Sequence, residues 1–328
     1  MNKKQIIYSL VIISFVLIII NIYVDSNPGT HIVYSKPSTT IKNIETNFLK
    51  SLHEHGIKDE WISTKKIRKV KNDSLLYTYS IEIPKDLTIV SLISDISVDF
   101  KKMGLEIKTE EEKNYSNSIL KIFAEDKLKL QANLIQSKDK FRDFAKVVFL
   151  IEGADFTNRD LPTALKTFKI PVNFLFIPSQ ELIDSSKYIA SLRLSYALLL
   201  NDDIEGAKFE LDKNAQKNIL SRNIKNIVSS FGKNKLYVIE GNSSLYNSVA
   251  FNFVVDEFEK RGVKLVKRSD FIELTDKPFE QILSLFEFHC DNGKLKDEKV
   301  IIIDYDDFLK LQPAIKKQKK IGDKFYSL

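Results

Sequence analysis

The sequence predicts an α/β protein: a mainly parallel sheet or distorted (β/α) barrel, preceded by a small α+β domain and an N-terminal transmembrane helix. Three observations predict it. Lys146–Asp155 carries five consecutive apolar residues, Val147 to Ile151, stopped by Glu152-Gly153, which is the pattern of a central strand covered on both faces. Downstream of it, strand-length apolar runs alternate with helix-period patterns, and such βα units demand crossover connections and parallel pairing. At the other end of the chain, Ile6–Val24 holds no charge and is dense in Ile, Leu and Val.

At 328 residues the chain is long enough for two domains. Its 43% apolar and 29% charged residues are an ordinary globular balance. The net charge of +6 comes mostly from Lys. Arg is the residue suited to forked phosphate contacts, so this basicity describes a solvated surface and no nucleic-acid partner is expected. A single cysteine, Cys290, excludes an intrachain disulfide and a multi-Cys zinc site and reads as a small buried apolar residue.

Taken in order, Lys3 and Lys4 precede the apolar segment Ile6–Val24 and Asp25 follows it. Its length is close to the ~20 residues that cross a hydrocarbon core, and the positive-inside rule leaves the N-terminus in the cytoplasm. A cleaved signal peptide is the competing reading, but Tyr23-Val24-Asp25 offers no small-residue cleavage site. Residues 1–25 are therefore expected as a cytoplasmic stub and anchor, and 26–40 as a linker, with Pro28, Gly29 and Pro37 among polar residues. A helix follows, capped within Ser38 to Thr40, striped by Ile41, Ile44, Phe48, Leu49 and Leu52, and ended by Gly56. His53 and His55 lie on its last turn two residues apart, too close in sequence for an i, i+4 metal pair, and read as surface histidines.

Leu75–Ile83 alternates like a strand before Pro84, and Thr88–Met103 reads as a helix closed by Gly104. Leu105–Lys108, Ser118–Phe123 and Lys127–Ile135 form an antiparallel meander, with Glu110 to Asn114 as a charged loop between strands. Residues 41–137 then make the small α+β domain. Residues 144–328 make the larger one. Its strands are Val147–Ile151, Val172–Ile177, Ser195–Leu200, Leu236–Ile239, Lys264–Val266 and Val300–Ile303. Between them fall helices Leu161–Phe168, Ser179–Ala190, Asn214–Ser230, Ser248–Arg261 and Phe279–Asp291, with a last helix before Lys324–Leu328.

Three stretches carry a resemblance. Tyr79-Ser80-Ile81-Glu82-Ile83-Pro84-Lys85-Asp86-Leu87 is similar to the strand and Ile-Pro-Lys-Asp-Leu entry of a small domain. Pro171-Val172-Asn173-Phe174-Leu175-Phe176-Ile177-Pro178 is similar to a second barrel strand, and Phe258-Glu259-Lys260-Arg261-Gly262-Val263 to a late helix and turn. Together they resemble the divergent polysaccharide deacetylases, carbohydrate esterases with a distorted (β/α) barrel of the NodB type. The resemblance implies a divalent metal held by imidazole and carboxylate, which polarises the acyl carbonyl and activates water. The motifs that would supply it are broken here. Ile-Asp-Asp-Leu-Gly becomes Ile151-Glu152-Gly153-Ala154-Asp155, and His-Leu-Pro-Met-Glu becomes Leu199-Leu200-Asn201-Asp202-Asp203. Asn-Asn-His-Met-Gly-Ser becomes Ile239-Glu240-Gly241-Asn242-Ser243-Ser244. Asp-Ser-x-Thr becomes Lys267-Arg268-Ser269-Asp270, and Ile-Gly-His becomes Ile303-Asp304-Tyr305. No His lies between His55 and His289.

The candidate pocket is therefore what remains at strand ends: Glu152, Asp155, Asp203, Glu240, Asn242 and Asp304. If they converge, they offer oxygen ligands for a hard cation or a glycosidase-like acid and base pair. Otherwise they cap helices and fill turns, and Asn242-Ser243-Ser244 caps a helix Leu245–Arg261. His289 reads as a packed side chain, and Lys316-Lys317-Gln318-Lys319-Lys320 as a solvated helix end. No cofactor and no metal is expected. The expected protein is a deacetylase-like barrel without activity, tethered to a bacterial inner membrane through Ile6–Val24. Its bulk is periplasmic or extracytoplasmic and binds cell-envelope polysaccharide or a protein partner. An active hydrolase using the remaining carboxylates and an envelope scaffold unrelated to carbohydrate are the alternatives.

Overall fold

The computed structural model describes residues 41–66, 75, 77–111, 117–155, 170–192, 194–232, 235–292 and 298–328. Among them no helix is long and apolar enough to cross a membrane. The expected span Ile6–Val24, the linker and helix Leu161–Phe168 lie outside the described residues. The chain divides into two compact units.

The first unit comprises residues up to Ser51, Asp59–Ile83 and Leu87–Ser137. Helix α1, Ile41–Glu54, presents Ile44 and Phe48 to the interior at helical spacing, and Phe48 meets Tyr79 edge-on at 5.8 Å. Strands β1 (Ile62–Lys66) and β2 (Tyr77–Ile83) are antiparallel. Helix α2, Ile89–Lys102, buries Ile89, Leu92, Ile96 and Phe100, and the Thr88 side chain accepts the Ser91 N–H at its start. Strands β3 (Glu106–Glu111), β4 (Asn117–Ala124) and β5 (Lys127–Gln136) complete a sheet in the order β1-β2-β5-β4-β3, with β5 parallel to β2.

Two details depart from the sequence reading. Ile62–Lys66 is a strand in its own right, unannounced because an exposed edge strand needs no apolar alternation. Glu110 and Glu111 lie in β3 rather than in a loop, and Glu110 pairs across the ladder with Lys121 at 2.6 Å.

The second unit comprises Leu52–Lys58, Pro84–Asp86 and Lys138–Leu328. Its elements are β6 (Lys146–Glu152), β7 (Asn173–Phe176), α3 (Gln180–Ser191), β8 (Ser195–Leu200), α4 (Lys217–Phe231) and β9 (Tyr237–Ile239). They continue with α5 (Phe251–Glu259), β10 (Leu265–Lys267), β11 (Ile272–Glu273), α6 (Phe279–Asn292), β12 (Glu298–Asp304), α7 (Tyr305–Ile321) and β13 (Lys324–Tyr326). The sheet runs β10-β9-β8-β7-β6-β12-β11, every pair parallel, and β13 adds to the start of β6.

The two edges of this sheet, β10 and β11, are joined by the short segment 268–271. A connection of that length reaches about 18 Å at most. Flat, the seven-strand path would hold its edges about 29 Å apart. The sheet therefore curls into a partial barrel. Its seam, where β10 and β11 do not pair, is bridged by a single 3-10 turn, Arg268–Asp270.

The period of two along each strand separates the faces. The outer face, with Phe149, Ile151, Phe174, Leu198, Tyr237 and Ile303, packs under the helices in the main core. The inner face holds a smaller cluster: Leu150, Leu175, Ala197, Leu199, Val238 and Ile302.

Two local expectations are corrected. His55 is buried, not a surface residue, and its carbonyl accepts a bond from Arg142 at 3.1 Å. Its neighbour Gly56 has φ +72°, and a Cβ there would stand 2.1 Å from the Ile321 carbonyl oxygen, so only glycine fits. Asn242-Ser243-Ser244 does not cap the following helix, because α5 begins only at Phe251. Ser243 Oγ instead accepts the Tyr246 N–H within a turn.

Candidate functional site

The mouth of the partial barrel is built by strand register. Two residues beyond each inner-face residue, the next inward position falls at or just past the strand end. Leu150 leads to Glu152, Leu175 to Ile177, Leu199 to Asn201, Val238 to Glu240 and Ile302 to Asp304. Val266 is paired with Val238, so the same step on β10 leads to Arg268 beside Glu240. On β11, Glu273 is aligned with Ile302 and also faces inward. Apart from Glu273, these strand-end positions line a cavity of about 480 Å³, with Leu175, Phe176, Ile177 and Leu199 as its apolar wall.

Arg268 dominates the cavity electrostatically. Its Nη1 and Nη2 donate to the two Glu152 oxygens at 3.0 and 2.9 Å, a forked pair. Nη2 and Nε also donate to Glu273 Oε1 at 2.6 and 2.9 Å, and Nε lies 3.4 Å from Glu240 Oε2. The guanidinium side chain is 11% exposed. Burial alone would lower its pKa, but bonds to Glu152 and then to Glu273 outweigh that and hold it above its ordinary value. For Glu273, burial pushes upward, while the Arg268 bonds and charge and the Thr275 hydroxyl pull the carboxyl below the usual range.

Asp304 behaves in the opposite way. Burial, then the charge of Glu152, then Asp276 and Asp307, raise its carboxyl above the ordinary value. Its carboxyl is thereby biased toward the protonated form.

Gly153 follows Glu152 at φ +71°. That left-handed conformation favours glycine, although space is free: the nearest atom to a Cβ there is Asp304 Oδ1 at 4.0 Å. The turn after β8 folds on itself, with Asn201 Nδ2 donating to Asp203 Oδ2 at 2.8 Å. Asp202 accepts the Ser244 N–H at 2.7 Å and its hydroxyl at 3.0 Å, tying the turns after β8 and β9 together. The backbone N–H of Ser244 is the main cause of its lowered pKa.

Of the sequence candidates, Glu152, Asp203, Glu240 and Asp304 share this cavity. Asp155 and Asn242 are exposed and are not among its lining residues. Sequence reasoning missed Arg268, Asn201 and Glu273. The missed signal was available in Arg268: an arginine at a strand end in a chain that uses Lys almost everywhere. His289 lies on α6 against Phe288, and Cys290 is buried there.

These residues do not fit the divalent metal that the resemblance implies. Both oxygens of Glu152 are taken by the Arg268 fork, and the guanidinium repels a second cation. Among the described residues no strand end carries an imidazole. Among the described residues no group of three or more His, Cys, Asp or Glu side chains is placed to hold a metal ion. The arrangement offers hydrogen-bond acceptors, one fixed cation, one weak acid and an apolar wall.

No family model and no curated protein matches the chain. Solved structures with similar backbones exist. One is a mutant of a CE4 family pseudoenzyme, at 11% identity and TM-score 0.38, covering 74% of this chain and 96% of that one. Another is a polysaccharide deacetylase from Bacillus cereus, at 20% identity and TM-score 0.38, covering 56% and 92%. A third is a family 4 carbohydrate esterase from Streptomyces lividans in complex with acetate, at 10% identity and TM-score 0.37, covering 56% and 91%. The chain is thus similar in backbone to family 4 carbohydrate esterases and to a pseudoenzyme of that family.

Proposed function

We propose that the protein is a membrane-anchored, extracytoplasmic, deacetylase-like barrel that binds cell-envelope glycan at its mouth without deacetylating it. One observation carries the reading: the Arg268 guanidinium holds Glu152, Glu240 and Glu273 where metal-assisted hydrolysis would need free ligands. What remains suits recognition of a polyhydroxylated ligand. Asp203, Glu240 and Asn201 offer acceptors and donors for hydroxyl groups, and Leu175, Phe176 and Leu199 form an apolar wall for the C–H face of a sugar ring.

The test uses the full chain in detergent. It should be retained by purified envelope polysaccharide and release no acetate from acetylated chitooligosaccharide, with or without added zinc, manganese or cobalt. Glu240→Gln should weaken the retention. Metal-dependent acetate release with turnover would overturn inactivity, and absence of retention on any envelope polysaccharide would overturn the glycan reading. A hydrolytic reading has the raised Asp304 carboxyl in its favour, as a ready proton donor. Glycan cleavage abolished by Asp304→Asn would establish it instead.

A further inference from the structure

We propose that Arg268 is the resident cation of the barrel mouth: a tethered positive charge occupying, among the strand-end carboxylates, the role the resemblance gives to a divalent ion. This rests on the non-catalytic reading above and deepens it.

The geometry is that of a multivalent centre. Glu152 ends β6, Glu240 follows β9 and Glu273 ends β11, and one guanidinium bonds or pairs with all three. Its planar set of donors serves separate carboxylates at once, which a lysine ammonium on a flexible stem does less well. The group is delivered by the 3-10 turn Arg268–Asp270, which connects β10 to β11 across their unpaired seam. A cation fixed there joins both edges of the curled sheet to β6 and to the end of β9. Among the residues lining the cavity, Arg268 is the positive one, set against Glu152, Asp203, Glu240 and Asp304. Because the charge is covalently attached, its occupancy does not depend on the concentration of any free ion. The mouth is therefore independent of metal supply and of chelators.

The consequence is that deleting Arg268 leaves a vacancy that other cations can fill. The experiment compares thermal unfolding of the full wild-type chain with Arg268→Ala and Arg268→Lys, titrated with methylguanidinium, manganese or calcium, and with sodium chloride at matched ionic strength. Arg268→Ala should lose about 5 to 10 °C of Tm, Arg268→Lys less. Methylguanidinium, which matches the vacated fork, should restore at least half the loss in Arg268→Ala at low millimolar concentration; a divalent cation should restore less, because among the described residues no three carboxylates are placed around one point, and sodium chloride should restore none. Wild type should respond to none of them, nor to EDTA.

Should Arg268→Ala not fold, Arg268→Gln, which keeps volume without charge, carries the same titration. Three outcomes overturn the proposal: no cation rescues the neutral variant, sodium chloride rescues it equally, or wild type gains stability from a divalent ion. Acetate release by wild type is a separate result. It would sink the non-catalytic reading while leaving the cation titration to be judged on its own.

Discussion

Gly153 is the position where the resemblance expects a second acid, and Gly153→Asp tests what restoring it would do. The backbone there sits at φ +71°, which costs an Asp about 1 kcal/mol. No atom blocks the side chain, since Asp304 Oδ1 lies 4.0 Å from a built Cβ. The new carboxylate would nevertheless stand near Asp304. Two unit charges at that range repel by roughly 3 to 4 kcal/mol at an effective dielectric constant near 20. Attraction to Arg268 and protonation of Asp304, whose carboxyl is already raised, relieve part of this. The net destabilisation at neutral pH is therefore about 2 to 3 kcal/mol, or about 4 to 12 °C in Tm.

The pH dependence follows in sign. A carboxyl whose folded pKa lies above its unfolded value binds more protons when folded, so stability falls as pH rises through that range. The penalty in Gly153→Asp should shrink toward the backbone share of about 1 kcal/mol as the pH is lowered to about 4. Thermal unfolding of wild type and variant at acidic and neutral pH reads this directly, with an acetate-release assay in parallel. Equal stability loss at both pH values would refute the electrostatic account. Metal-dependent acetate release by the variant would refute the claim that Arg268 bars the chemistry.

Three further outcomes are expected. Asp304→Asn should raise stability at neutral pH, and the gain should disappear as pH falls toward the ordinary Asp value of 3.8; difference curves against wild type check it. Arg142→Ala should cost about 3 to 5 kcal/mol in chemical unfolding of the second unit. Arg142 there donates to Asp86 at 2.8 Å and to the carbonyls of His55 and Lys320 at 3.1 and 2.9 Å, with its side chain 9% exposed. A loss under about 1 kcal/mol would contradict that role. Cys290 is fully buried, and burial with nearby Asp323 and Asp291 raises its thiol, so alkylation under native conditions should proceed only at the rate of unfolding.

By itself, the sequence determined the secondary-structure rhythm and which strand ends carry carboxylates. Five apolar residues before Glu152 announce a doubly covered strand, and a period of two from Leu150, Val238 and Ile302 points Glu152, Glu240 and Asp304 the same way. These are local consequences of side-chain spacing, and a linear chain contains them. It also contained the scarcity of imidazoles, four in the whole chain, since composition needs no folding to be read.

Only the tertiary structure decided what those carboxylates do. Arg268 meets Glu152 across 116 positions of sequence because the sheet curls until β10 and β11 nearly close, and curl is a property of strand order. The same closure left Asp155 and Asn242 outside the cavity, although in the sequence they sit as near a strand end as Asp203, which lines it. Charge pairing falls off steeply with distance in space and is blind to distance along the chain, so the partner of a strand-end acid is settled by the fold.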